Sequence, residues 1–171
     1  MFSWEAVAVH ITTDNQRVRV FEPLVFAPLR EELFFRGLLF SALWNRLRSL
    51  RSSVILSNAL FAAAHVMNAR QLGSVYSASY LVYQVTSAWL VGSLLSLRVA
   101  VSDSLLECVL LHAVNNSFAL AVSTQVDVDL RDPISLISVT SAVLLYTMAI
   151  WLSWKQLAVS KRHLEGKDPT L

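Results

Sequence analysis

Three groups of polar residues interrupt apolar runs in this chain. The first is Glu31-Glu32 followed by Arg36, inside the run Pro-Leu-Arg-Glu-Glu-Leu-Phe-Phe-Arg-Gly-Leu-Leu-Phe-Ser-Ala-Leu-Trp at residues 28–44. The second is Phe61-Ala-Ala-Ala-His65, and the third is His112-Ala-Val-Asn115-Asn116. On a helix, residues four apart share a face. Glu32 can therefore pair with Arg36, while Phe61 lies over His65 and His112 over Asn116. Glu31 sits about 100° round the helix from Glu32 and has no such local partner. A carboxylate in lipid costs about 2.5–3.5 kcal/mol on insertion scales, so it normally faces a protein interior and has a task there. The three groups together hold two carboxylates, two imidazoles, a carboxamide and a guanidinium. They supply a base, groups that exchange protons near neutral pH, and neutral hydrogen-bond donors. That is the inventory for activating water against a carbonyl.

Each group alone also has a blander reading. The first fits an amphipathic helix with a solvated charged face, the second a hydrogen-bonded structural histidine, and the third interhelical glue. Against the first, Phe34, Phe35, Leu38 and Leu39 surround the charges on nearly every side. Cys108 lies one turn before His112, which makes a Cys–His nucleophile conceivable, but a thiol in an apolar segment is normally inert packing. The chain has no His-Glu-x-x-His pair, no Gly-x-Ser-x-Gly elbow and no Gly-rich phosphate loop.

The elements that must position these residues are apolar helices. Of 171 residues, 55% are hydrophobic and 15% charged, against about 25% charged in soluble domains. Mean hydropathy is +0.53. The composition predicts an all-α, polytopic membrane bundle of about five spanning helices, near residues 23–45, 53–69, 75–97, 104–123 and 134–154. The second is short for a span. The fifth has no charged residue, and Trp151 and Trp154 suit its membrane interface. Ala88, Gly92 and Ser96 repeat at intervals of four, which lets two helices approach closely. The chain divides into an N-terminal tail (1–22), a membrane domain (23–154, with its motifs in 23–120) and a polar C-terminal tail (155–171). Gln71, Gly73 and Ser74 mark a turn, and residues 125–133 a polar loop. A net charge of +2 without a Lys/Arg run speaks against a nucleic-acid partner. The single cysteine excludes an intrachain disulfide and a multi-cysteine metal site.

In order, spacing and helical setting, Glu31-Glu32-x-x-x-Arg36, Phe61-x-x-x-His65 and His112-x-x-x-Asn116 resemble the motifs of the intramembrane CAAX-protease and bacteriocin-processing (CPBP) family. Its branches include the Rce-type CAAX prenyl proteases and the bacterial Abi-type proteins. Ser57, four residues before Phe61, and the segment bearing Gly92 match as well. The resemblance covers residues 23–120. Family members usually carry further spanning helices before the Glu-Glu pair, where this chain has a short polar-to-apolar stretch.

The resemblance implies an intramembrane endopeptidase that cleaves a membrane-associated peptide or a prenylated protein. Glu31 and His65 would position and deprotonate the attacking water, His112 and Asn116 would hold the oxyanion, and Glu32 and Arg36 would form a supporting pair. No cofactor is needed for that chemistry. The alternative is zinc, held by Glu31, His65 and His112 with an open water position. The implied partners are the lipid bilayer and a peptide or lipidated protein substrate, in a multi-pass protein of the plasma membrane or endoplasmic reticulum. Rival readings are a non-catalytic scaffold or bacteriocin-immunity protein that keeps the fold, and an ion or proton pathway that uses the same carboxylates.

With five spans, Arg46, Arg48, Arg51, Arg98, Lys155, Lys161, Arg162 and Lys167 fall on one side, and Arg17, Arg19, Arg70 and Arg131 on the other. The charge rule makes the first side cytoplasmic. Glu31, His65 and Asn116 lean to the second side, whereas CAAX processing needs a cytosolic opening. The short, alanine-rich second segment is the candidate for a re-entrant element that would reconcile the two.

Overall fold

A computed structural model of the chain describes residues 21–67, 69, 77–121 and 131–165, without the side chains of 121 and 160–165. Outside these lie residues 1–20 of the expected N-terminal tail, the turn at Gln71, Gly73 and Ser74, positions 125–130 of the polar loop, and residues 166–171. Arg17, Arg19, Arg70 and Lys167 lie outside them too, as do the side chains of Lys161 and Arg162.

The described elements are all helical, as the composition predicts. α1 (residues 22–47) is followed by α2 (Leu50–Val66), α3 (Ala78–Ser102), α4 (Leu105–Ala121) and α5 (Pro133–Glu165). Two of these helices are long and apolar enough to cross a membrane, Ala78–Ser102 and Pro133–Val159. α2 and α4 are apolar but shorter, and α1 is interrupted by charges. α5 does not stop at Trp154. Leu157 continues its packing surface with Ile150 and Trp154 against Phe40, Val54 and Leu97. Gln156 Oε1 also accepts from Arg98 Nη1 at 3.0 Å. The expected polar tail is therefore helix through Glu165.

Local signals set the turns. Arg48 ends α1 in the left-handed region (φ 53°), its N–H bonded to the Trp44 carbonyl at 3.0 Å. Ser49 then caps α2 by accepting from the Ser52 N–H at 3.3 Å. The basic stretch from Asn45 to Arg51 is thus a tight hairpin. Asp103 closes α3 in the same left-handed way (φ 53°). Ser104 opens α4 by accepting from the Glu107 N–H at 3.2 Å, the first half of a capping box. Asp132 caps α5 through the Ser135 N–H at 2.8 Å, and that bond holds its carboxyl below the ordinary carboxylate range.

Successive helices run in opposite directions, so the hairpins 47–50 and 102–105 lie at one end with the last turns of α5. Arg98 bonds Glu107 at 2.7 Å there, Arg51 lies over the Trp154 ring at 5.9 Å, and Lys155 over Trp151 at 3.7 Å. Arg51, Arg98 and Lys155 therefore do gather at one end, with tryptophan rings at the level of the charges.

The distribution of polarity is inverted relative to a soluble domain. Glu31, Glu32, Arg36, Asn58, His112 and Asn116 are buried, while Ile134 is 75% and Phe118 72% exposed. An apolar surface of that extent is a liability in water and the ordinary exterior of a protein in lipid.

Candidate active site

α1 carries the carboxylates and is not a plain α-helix. Residues Glu22–Phe26 and Leu33–Phe40 are wound as π-helix, on either side of an α-helical turn at Ala27–Glu32. Pro23 lies within the first widening and Pro28 just beyond it. The Ala27 N–H bonds the Glu22 carbonyl, a step of five residues. In that register the donor due at the Pro23 carbonyl is residue 28, a proline with no N–H. Asn116 on α4 supplies it, Nδ2 donating to Pro23 O at 2.9 Å. At the second widening Ser41 Oγ donates to the Arg36 carbonyl at 3.1 Å. Such windings concentrate at functional positions because they turn side chains out of helical register.

Glu32 is the hub of the site. Its side chain is fully buried, and Oε1 accepts from Arg36 Nη1 at 2.9 Å and from His112 Nδ1 at 2.7 Å. A carboxylate only accepts, so the His112 proton sits on Nδ1. His112 Nε2 then faces Glu31 Oε2 across 3.7 Å, too far for a direct hydrogen bond and close enough for one water beside the pair to reach both. Glu31 finds the partner that its own helix does not provide on α4.

Arg36 is 1% exposed and stands 4.4 Å over the Phe61 ring. Its Nε and Nη2, and Glu32 Oε2, are buried without a hydrogen-bond partner among the described residues. Phe61 is the central apolar surface. Phe35, His65 and His112 all meet its ring edge-on, with centroids 4.9, 5.0 and 6.0 Å away.

The three motifs therefore meet, though unevenly. Glu31, Glu32, Arg36 and His112 form a continuous set of contacts. Asn116 lies one turn beyond His112 and is bound to Pro23. His65 donates Nδ1–H to the Phe61 carbonyl at 3.0 Å and joins the others through the Phe61 ring. Glu31 has His112 within 4.0 Å, not His65. Cys108 is inert packing, its thiol donating to the Leu95 carbonyl at 3.3 Å. Ser57 is likewise turned to its own helix, donating to the Val54 carbonyl at 3.3 Å.

Both histidines have the oriented Nδ1–H that a metal-binding imidazole usually has. Among the described residues, however, no three His, Cys, Asp or Glu side chains are gathered closely enough to hold an ion. The set Glu31, His65 and His112 does not form a three-ligand site in this geometry.

Asn58, absent from the sequence reading, supports the site from behind. Its Nδ2 donates to Ser93 Oγ and its Oδ1 accepts from Ser96 Oγ, both at 3.3 Å. Its signal was the spacing Asn58-x-x-Phe61-x-x-x-His65, which puts the three on one face of α2. Gly92, with buried Ala88 and Ser96 on either side, makes this packing possible. A Cβ there would fall 2.8 Å from Asn58 Oδ1 and 3.0 Å from both Arg36 Nη2 and Phe61 Cδ1. Gly92→Ala is expected to cost about 1–3 kcal/mol, as overpacking does, and to push Arg36 off Glu32. Thermal unfolding in detergent checks it, and an unchanged Tm would show that Asn58 and Arg36 re-seat at no cost.

The family model for the Rce1-like type II CAAX prenyl endopeptidases matches residues 13–118, a stretch that holds all three motifs and ends short of α5. No curated protein and no solved structure matches the chain. The matched stretch is more than half of the chain, which thus belongs to the Rce1-like type II CAAX prenyl endopeptidase family.

Proposed function

We propose that the chain is a multi-pass intramembrane endopeptidase that cleaves a membrane-associated peptide, a prenylated CAAX protein being the substrate class its family suggests. The observation that carries this reading is the facing pair of Glu31 Oε2 and His112 Nε2, 3.7 Å apart and buried. A water between them would donate one proton to each. Glu31 would take one proton as that water attacks the scissile carbonyl. His112 Nε2 would take the other from the tetrahedral hydroxyl as the intermediate collapses and pass it to the leaving amine, Glu31 afterwards releasing its proton to solvent. Asn116 carries two Nδ2 protons and gives one to Pro23. The other is the neutral donor for the oxyanion, which adds no net charge in lipid. Glu32 holds the His112 tautomer, and Arg36 balances Glu32. His65 Nε2 makes no hydrogen bond among the described residues, and His65 is the second group proposed to touch the water.

The reaction in this proposal runs without a metal. The test is purified full-length protein in lipid nanodiscs with a fluorogenic prenylated CAAX peptide, before and after treatment with a chelator. Cleavage that survives chelation is expected. A wild-type protein that leaves the peptide intact overturns the reading. Activity lost to the chelator and restored by zinc overturns the metal-free part of it alone.

A further inference from the structure

α5 lies beyond the family match and bears none of the three motifs, yet one of its side chains is bonded into the site. Tyr146 Oη donates to Asn115 Oδ1 at 2.6 Å, and Asn115 Nδ2 donates to Asn116 Oδ1 at 3.3 Å. Asn116 Nδ2 in turn donates to Pro23 O at 2.9 Å. The direction of this chain is forced from one end. A main-chain carbonyl only accepts, so Asn116 must turn its Nδ2 toward Pro23. Its Oδ1 then faces Asn115 and needs a donor, which is Asn115 Nδ2. Asn115 Oδ1 is left for a hydroxyl, and Tyr146 provides one. Flipping Asn116 would set acceptor against acceptor at Pro23 O and donor against donor at Asn115, and flipping Asn115 would set its oxygen against Asn116 Oδ1. The Tyr146 ring packs against Val91, Leu95 and Cys108, which fixes the hydroxyl at the α4 face.

We propose that Tyr146 is a positioning residue. Through Asn115 it fixes the rotamer and polarity of the Asn116 carboxamide, keeping the second Nδ2 proton available to the substrate oxyanion. The inference rests on the proteolytic reading above and extends it to a helix outside the matched stretch.

The test uses full-length protein in nanodiscs, the prenylated CAAX peptide, and the variants Tyr146→Phe, Asn115→Leu and their double. Tyr146→Phe removes only the hydroxyl, and Asn115→Leu removes the link at similar volume. Each is expected to lower kcat about tenfold, the effect of one lost hydrogen bond, with KM little changed. The double variant should lose no more than either single, because both cut the same chain. A second readout is the Asn116 side-chain 15N amide pair, assigned by its disappearance in Asn116→Asp. These signals should shift and broaden in Tyr146→Phe. An unchanged kcat in Tyr146→Phe, losses that multiply in the double, or a lowered Tm with kcat intact would each overturn the proposal. Should wild-type protein leave the peptide uncleaved, the proteolytic reading fails, and the amide signals alone decide the positioning role. Unchanged signals in Tyr146→Phe would then sink it.

Discussion

Glu31→Gln is expected to reduce peptide cleavage by about 10³-fold while leaving the protein folded, since a positioned general base contributes on the order of 10²–10⁴. Glutamine keeps the shape of the side chain and the approach to His112 Nε2, and it loses the ability to take a proton. The substitution also removes one formal negative charge beside the fully buried Glu32. Thermal stability should therefore hold or rise, and KM should change little against a large fall in kcat. The measurement is steady-state cleavage together with a melting curve on the same nanodisc preparation. Full cleavage by Glu31→Gln would remove Glu31 from the chemistry. If the variant lost cleavage but kept the protein's complete biological activity, the scaffold reading would replace the enzyme. The result also bears on how the two carboxylates divide their work. Glu32 is already held by two donors, Arg36 Nη1 and His112 Nδ1, whereas Glu31 has only the wider contact at 3.7 Å.

Much of this division was legible in the sequence. An offset of four pairs Glu32 with Arg36 on one helix face, and the same offset puts His112 and Asn116 on one face. The interval between Ala88, Gly92 and Ser96 announces close helix packing, and Gly92 lies where a Cβ would strike Asn58. What the sequence did not disclose depends on distance along the chain or on backbone register. His112 and Glu32 are separated by 80 residues, and no local pattern says which carboxylate meets which imidazole. The π-helical winding at Glu22–Phe26 leaves the Pro23 carbonyl without a main-chain donor, because Pro28 has no N–H, and its partner is on another helix. Pro23 and Pro28 could be seen as helix punctuation but not as an acceptor awaiting Asn116. His65 was expected beside Glu31 because both belong to the motifs, yet its nearest polar partner is its own helix, at the Phe61 carbonyl. Tyr146 gave no signal at all, being one aromatic residue in a long apolar helix. The end of α5 was misplaced for a related reason. Lys155 looks like the start of a tail, but Arg98 and the apolar contacts of Leu157 carry the helix past it.

The largest effect on stability should come from Arg36→Met. Methionine fills much of the same volume and can keep contact with Phe61, so the change mainly removes the guanidinium. Glu32 would then be a fully buried carboxylate whose remaining donor among the described residues is His112 Nδ1, its Oε2 having no partner among them. Breaking a buried pair from one side costs about 3–5 kcal/mol. For a chain of this size that is a fall in Tm of roughly 10 °C. Cleavage should fall as well, because an unbalanced Glu32 no longer holds His112 Nε2 toward Glu31. The double variant Glu32→Gln with Arg36→Met separates charge from packing. Its glutamine Oε1 can still accept from His112 Nδ1, and neither buried side chain carries a charge. Replacing both members of a buried ion pair is often neutral or stabilising, so the double should regain most of the lost Tm. Its cleavage rate then reports what the ion pair does beyond holding the fold. Recovery of both would mean that a neutral acceptor is enough to orient His112. Recovery of Tm without cleavage would mean that the site needs the Glu32 charge to support a protonated His112 as it passes a proton to the leaving amine. If Arg36→Met alone melts with the wild type, the pair contributes nothing to stability, and Glu32 is balanced by another group.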